Sequence, residues 1–215
     1  MQYLATPSSP DTRAAMAAGR LACITTPAQG NRIPAGSLYA CDNGKYGNGW
    51  PGTRAWHSWL TATIHRYGSD RCLFAVAPDT PFDAAATLAE STPWLPAIRN
   101  LGVPAAYAAQ DGCEQPGLLP WTDIDVVFLA GSTPWKTGPT AYSIAQQAKA
   151  RGMGVHMGRV NSLKRLRIAE TFGCDSADGT FLAYGPDTNL PILLGWLDEL
   201  HRRPSLFASD NNPTR

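Results

Sequence analysis

Eight short apolar runs, separated for the most part by stretches of helical pattern, constrain this 215-residue chain more than any other feature. They fall at residues 2–5, 21–25, 38–41, 73–77, 105–109, 126–130, 154–157 and 179–182. Each is apolar on consecutive positions, as strands buried on both faces are, and such strands belong to parallel sheets. Helical spacing fills most of the gaps. Residues 10–18 are Ala-rich behind a Ser-Ser-Pro-Asp opening, and 53–67 carry Trp56, Trp59, Leu60 and Ile64 at intervals of three and four. Residues 83–100 hold Leu88, Trp94, Leu95 and Ile98, with Pro93 and Pro96 predicting a break or kink. Further helices are expected at 139–151, 163–172 and 191–202.

Strands and helices alternating eight times give the arithmetic of a compact (β/α)8 barrel, an α/β TIM-like fold. Residues 27–37 and 111–123 have little helical pattern, so some of its helices should be reduced. An open doubly wound sheet is the competing architecture, but no GxGxxG follows the first run. The length suits one domain with a sizeable core, expected over 1–203, followed by a polar tail at 204–215.

Composition narrows the class without naming a partner. A hydrophobic share of 44% with 16% charged residues is globular rather than disordered, and a formal charge of +1 leaves partners open. No run of 18 apolar residues predicts a transmembrane helix, and the first residues lack the pattern of a secretory leader. Cys23, Cys41, Cys72, Cys113 and Cys174 form no CxxC pair, which fits reduced thiols in a cytoplasm. His57, His65, His156 and His201 show no metal-ligand spacing, so no metal site is expected.

In a barrel of parallel strands, the C-terminal strand ends share one rim, where active sites form. Polar residues collect after these runs. The third is followed by Asp42-Asn43-Gly44-Lys45-Tyr46-Gly47, the fourth by Pro78-Asp79 and the fifth by Gln110-Asp111-Gly112. Gly131-Ser132-Thr133-Pro134-Trp135 follows the sixth, Gly158-Arg159 the seventh, and Asp178 opens the eighth. Taken singly, most of these read as turns or helix caps; their convergence on one rim is what points to a site. Two separated carboxylates, Asp42 and Asp178, can serve as general acid/base and nucleophile, while the other polar groups read the edge of a planar heterocycle.

Residues 156–181 concentrate these features. Asn161 or Ser162 caps the helix, Gly173 ends it, and Asp175 and Asp178 lie three apart beyond it. Basic residues cluster here as well. Arg159 precedes a helix N-terminus, a natural anion site. Arg151, Lys164, Arg165 and Arg167 form either a solvated face or contacts to phosphate.

In this order the motifs resemble the queuine/archaeosine tRNA-guanine transglycosylases. They are most similar to the shortened relatives that insert 7-deazaguanine bases into DNA in bacterial and phage modification systems. The resemblance spans roughly residues 38–182 as a series of short motifs. It places the acid/base aspartate at Asp42 and the stacking aromatic at Tyr46. Heterocycle-reading groups fall on Asp79, Gln110, Gly131 and Ser132, and the Met-Gly pair beneath the base falls on Met157 and Gly158. The Gly-x-Asp-x-x-Asp pattern at 173–178 puts the covalent nucleophile at Asp178 rather than Asp175.

The family's CxCxxC zinc motif is absent, and Gly179-Thr180-Phe181-Leu182 replaces its usual Leu-Pro-Thr-Arg. What the resemblance implies is exchange of guanine in DNA for a 7-deazaguanine base such as 7-cyano-7-deazaguanine, without metal or redox cofactor. The target nucleotide would be flipped out or presented single-stranded, with room for a helper protein, and with Arg159, Lys164 and Arg165 near the phosphates. The setting would be the cytoplasm, a host's if the chain is phage-encoded. The competing expectations are a tRNA-guanine transglycosylase, a phosphosugar lyase or isomerase with His156 as base, and a non-catalytic nucleic-acid-binding barrel subunit.

Overall fold

The computed structural model describes residues 1–47 and 49–202. Eight parallel strands close into a barrel in sequence order. They are β1 (Gln2–Ala5), β2 (Ala22–Thr25), β3 (Tyr39–Cys41), β4 (Cys72–Val76), β5 (Ala105–Ala109), β6 (Val126–Leu129), β7 (Gly154–Met157) and β8 (Ser176–Asp178). Pairing of β1 with β8 closes the ring, with Leu4 opposite Asp178. Around it run α1 (Pro10–Ala17), α2 (Thr53–Tyr67), α3 (Ala84–Ser91), α4 (Leu95–Asn100), α5 (Thr133–Lys136), α6 (Pro139–Ala150), α7 (Leu163–Thr171) and α8 (Pro186–Arg202). The stretches after β2 and β5, residues 27–37 and 111–123, hold no helix.

Side chains alternate across each strand, so continuous apolar runs serve two cores at once. One parity, including Leu4, Ile24, Ala40, Phe74, Val76, Ala108 and Phe128, fills the barrel interior. The other, including Tyr3, Cys23, Tyr39, Tyr107, Leu129, Val155 and Met157, packs outward under the helices. All five cysteines are free and buried. Local signals set the helix ends. Ser162, rather than Asn161, caps α7 by accepting the Arg165 N–H at 3.3 Å, and Gly173 takes a left-handed φ of 76° just past the helix.

Several boundaries differ from expectation. The eighth strand lies at Ser176–Asp178, not at 179–182, where Phe181–Ala183 instead form a single 3-10 turn. Pairing already begins at Asp175, whose N–H reaches Val155 O at 2.8 Å and whose carbonyl accepts the Gln2 N–H at 2.8 Å. The apolar Phe181-Leu182 pair that marked a strand in the sequence packs against the outer core instead. Asp178 therefore closes its strand and sits on the same rim as the other candidate residues. The expected helix at 83–100 is two helices, α3 and α4. The last helix starts at Pro186 and continues through Pro191. The short α5 had no counterpart in the sequence reading. The tail at 204–215 lies outside the described residues, and no helix among those described is long and apolar enough to cross a membrane.

Candidate active site

Extending the inward parity one step past the strands predicts where the polar rim falls. Asp42 lies two residues beyond Ala40, Gln110 two beyond Ala108, and Asp178 two beyond Ser176. All three line one cavity of about 390 Å³ at the C-terminal mouth of the barrel, together with Asn43, Tyr46, Asp79 and Arg159. Ile24, Val76, Ala108 and Phe128 give it an apolar floor.

Asp178 is held on both oxygens. Oδ2 lies 3.0 Å from Nε2 of His156, and Oδ1 accepts the backbone N–H of Arg159 at 3.0 Å. His156 is itself fixed, with Nδ1 2.8 Å from the Ser176 hydroxyl. Its ring packs at 4.9 Å from Phe74 and 4.7 Å from Phe128. Burial works against the charged carboxylate, but the His156 bond and charge, the Arg159 N–H and the nearby Lys136 outweigh it, holding Asp178 below the usual carboxylate range. It is a preformed anion.

Asp42 has the opposite character. Burial pushes its carboxyl up to about 7, against the Gly44 N–H that Oδ1 accepts at 2.7 Å, and the charges of Asp178 and Asp79 add to the rise. A carboxyl titrating near neutrality exchanges protons readily.

Asp79 is clamped by two amides. Asn43 Nδ2 donates to Oδ1 at 2.8 Å, and Gln110 Nε2 donates to Oδ2 at 2.6 Å. Gln110 Oε1 accepts the Phe82 N–H at 3.0 Å. Asn43 is spent within this network, since Nδ2 also reaches Ala77 O at 2.7 Å and Oδ1 accepts the Lys45 N–H at 2.8 Å, so Asp79 and Gln110 are the members left to face the cavity. Burial raises Asp79 above the ordinary carboxylate value, against both amide bonds.

Aromatic and cationic groups form the lip. The Arg159 guanidinium lies 4.3 Å from the Tyr46 ring centroid and 5.9 Å from that of Phe82, and the two rings meet edge to face at 6.1 Å. Phe82 and Arg159 are the non-glycine residues with left-handed φ among those described, at 67° and 60°. Such geometry persists where surrounding contacts over-determine it, and it clusters at functional sites. Here Gln110 fixes the Phe82 backbone, while the Arg159 guanidinium donates to the carbonyls of Ala130 and Gly131.

Other sequence candidates fall elsewhere. Met157 is buried in the outer core, so it is not beneath the cavity, and the inward residue of that pair of positions is His156. The Gly131 N–H is taken by Ala109 O at 3.1 Å and does not read a ligand. Gly131 must lack a side chain because a Cβ there would meet Trp135 at 2.5 Å and Asp111 at 2.6 Å. Ser132 caps α5 and bonds Asp111 through both its N–H and its hydroxyl. Gly158 lies under the floor, where a Cβ would stand 2.5 Å from the Phe128 ring and 3.6 Å from Asp178.

Lys164 is exposed on α7, while Arg165 donates to Arg159 O at 3.1 Å. Asp175 pairs with Lys149 and accepts the Val155 N–H, a structural role away from the cavity. His156 is wholly buried and has both nitrogens engaged, so it is no free rim base.

The sequence reading did not single out Asn43, Phe82, Phe128 or Lys136 as site residues, and it named His156 only as the base of a competing reading. Strand parity marks Phe128 and His156 as inward; the other three have no local signal. Among the described residues, no group of three His, Cys, Asp or Glu side chains could hold a metal ion.

No protein-family model and no curated protein matches the chain. Solved structures do. A putative glycerophosphoryl diester phosphodiesterase from Agrobacterium tumefaciens superposes with a TM-score of 0.55 at 13% identity, covering 94% of this chain and 99% of that one. Tryptophan synthase from M. tuberculosis gives 0.50 at 16% identity, covering 88% and 66%. A putative isomerase from Sinorhizobium meliloti gives 0.50 at 13% identity, covering 87% and 52%. A larger GGDEF-EAL protein, Vibrio cholerae LapD, matches at 0.43, and this chain spans 34% of it. At such identities the likeness to the first three shows the TIM-barrel-like fold alone.

Proposed function

We propose that the chain is a base-exchange transglycosylase that replaces guanine in DNA with a 7-deazaguanine. The observation that carries this reading is the pair of rim carboxylates with opposite proton affinities on one cavity, Asp178 held ionised and Asp42 titrating near 7. Asp178 Oδ attacks C1′ of the target nucleotide as the C1′–N9 bond breaks, and protonated Asp42 gives its proton to the departing guanine. The incoming base then loses its N9 proton to Asp42, bonds C1′ and releases the Asp178 carboxylate. Charge and protons balance over the cycle, with Asp42 alternating between its two forms. Asp79 and Gln110 supply a hydrogen-bonding edge suited to a purine-like ring, with Asn43 holding Asp79 in place, and Tyr46 supplies a stacking face. The part of the transglycosylase-like motif series that lines the cavity, Asp42, Tyr46, Asp79, Gln110 and Asp178, supports the same assignment.

Incubation with labelled guanine and either DNA or tRNA tests the reading. Label should enter DNA, and a denaturant-resistant protein–DNA adduct should form that Asp178→Ala abolishes. Label entering tRNA alone would move the substrate to tRNA. Entry into neither polymer, or exchange that survives Asp178→Ala, would overturn the mechanism.

A further inference from the structure

Lys136, the last residue of α5, is fully buried. Among the described residues it forms no ion pair. A buried ammonium with no counter-ion in direct contact is costly, so its position calls for a reason. Its Nζ donates to the carbonyl oxygen of Gly158. The N–H of that same peptide unit belongs to Arg159, and it donates to Asp178 Oδ1 at 3.0 Å. One peptide plane thus has a cation on its carbonyl and the anionic carboxylate on its N–H.

We propose that Lys136 is a positioning residue for Asp178, holding and polarising the Gly158–Arg159 peptide so that its N–H stays aimed at the carboxylate. A charge on the carbonyl strengthens donation from the N–H across the plane. It also opposes rotation of the plane. Arg159 sits at φ 60°, a conformation an arginine seldom adopts, and relaxation to negative φ would turn the N–H away from Asp178. Lys136, Asp178 and the Arg159 guanidinium together lock that geometry.

The charged and titratable groups that face Asp178 are Tyr3 on β1, Asp42 after β3, Lys136 on α5, His156 on β7 and Arg159 after β7. Those that face Lys136 are Arg159, Asp178 and Arg165. Burial, with Arg159 and Arg165, lowers the ammonium to about 7 against the pull of Asp178. The support it gives is therefore full below neutral pH and fades as pH rises through that value.

The catalytic consequence rests on the transglycosylase reading, and the test separates the two. Protein labelled with 13C at aspartate carboxyls is titrated without ligand, as wild type and as Lys136→Met, which keeps length and removes the charge. The Asp178 resonance should titrate about one pH unit higher in the variant. Labelled-guanine exchange should lose about tenfold or more in kcat with KM for the DNA changed less than about twofold. Lys136→Arg should restore the low Asp178 titration. If Lys136→Met does not fold, Lys136→Gln, which can still donate to Gly158 without charge, undergoes the same titration. An Asp178 titration unchanged in a folded, uncharged variant overturns the proposal. A shifted Asp178 titration in the variant, with a wild-type protein that exchanges no guanine, upholds the positioning role and overturns the transglycosylase reading instead.

Discussion

Asp42→Asn should make the barrel more stable at neutral and alkaline pH while removing the proton carrier on which the proposed exchange depends. Burial lifts this carboxyl from its ordinary 3.8 to about 7, opposed by the Gly44 N–H and aided by the charges of Asp178 and Asp79. Between those two values the folded chain keeps a proton that the unfolded chain has released. The stability from this group is thus full below 3.8 and is lost as pH rises to 7. About three pH units at about 1.4 kcal/mol each give an upper bound of about 4 kcal/mol. Partial exposure to the cavity brings the expected figure to about 2–4 kcal/mol. Asparagine never ionises, and its carbonyl can still accept the Gly44 N–H. The variant's advantage in urea unfolding should therefore be small at pH 4, grow by about 1.4 kcal/mol per pH unit and level off above about pH 7. A difference that stays flat from pH 5 to 8, or a variant less stable than the parent at pH 8, would refute the burial argument.

Two further substitutions probe the floor and the lip. Gly158→Ala places a Cβ about where the Phe128 ring now sits, 2.5 Å from its edge. Overpacking should cost about 1–3 kcal/mol in thermal unfolding and push the ring into the cavity, weakening binding of a free 7-deazaguanine. An unchanged melting temperature would show that Phe128 yields freely. Phe82→Gly relieves a left-handed φ of 67°, so stability should hold or rise by up to about 1 kcal/mol. Loss of the half-exposed ring should weaken single-stranded DNA binding by about tenfold in fluorescence anisotropy, the effect of removing one stacking contact. Unchanged affinity would remove Phe82 from the proposed nucleic-acid contact.

The strands were legible because a two-layered barrel imposes consecutive apolar positions, and seven of the eight runs were placed within a residue. The eighth failed because β8 is only Ser-Ala-Asp, too short and too polar to announce itself, while the neighbouring Phe181-Leu182 pair belongs to the outer core. Asp42, Asp79 and Gln110 were singled out because polar residues at strand ends converge on one rim. Asp178, expected to open its strand, was singled out by the Gly-x-Asp-x-x-Asp resemblance, and all four line the same cavity. Met157 was misplaced by motif order. Counting parity from Val155, which faces the helices, would have turned Met157 outward and His156 inward. Lys136 was invisible for a different reason. Its partner is a backbone carbonyl 22 residues away, and no spacing rule encodes a bond of that kind.

Residue type alone does not divide the labour between the two carboxylates. Burial pushes both toward the neutral form, and it is the largest influence on each. What separates them is company. Asp178 receives an imidazole, a polarised backbone N–H and the field of a buried ammonium, all supplied by the β6–β8 side of the barrel. Asp42 receives one N–H from its own loop and faces two other carboxylates. The fold thus places a cationic half beside one acid and an anionic half beside the other. A carboxylate that stays ionised is suited to attack at an electron-poor carbon, whereas one that titrates near 7 is suited to carry a proton in both directions. On the positioning role proposed for Lys136, the strained Arg159 turn serves the same asymmetry: relaxing it would withdraw the N–H from Asp178 and leave the two acids more nearly alike.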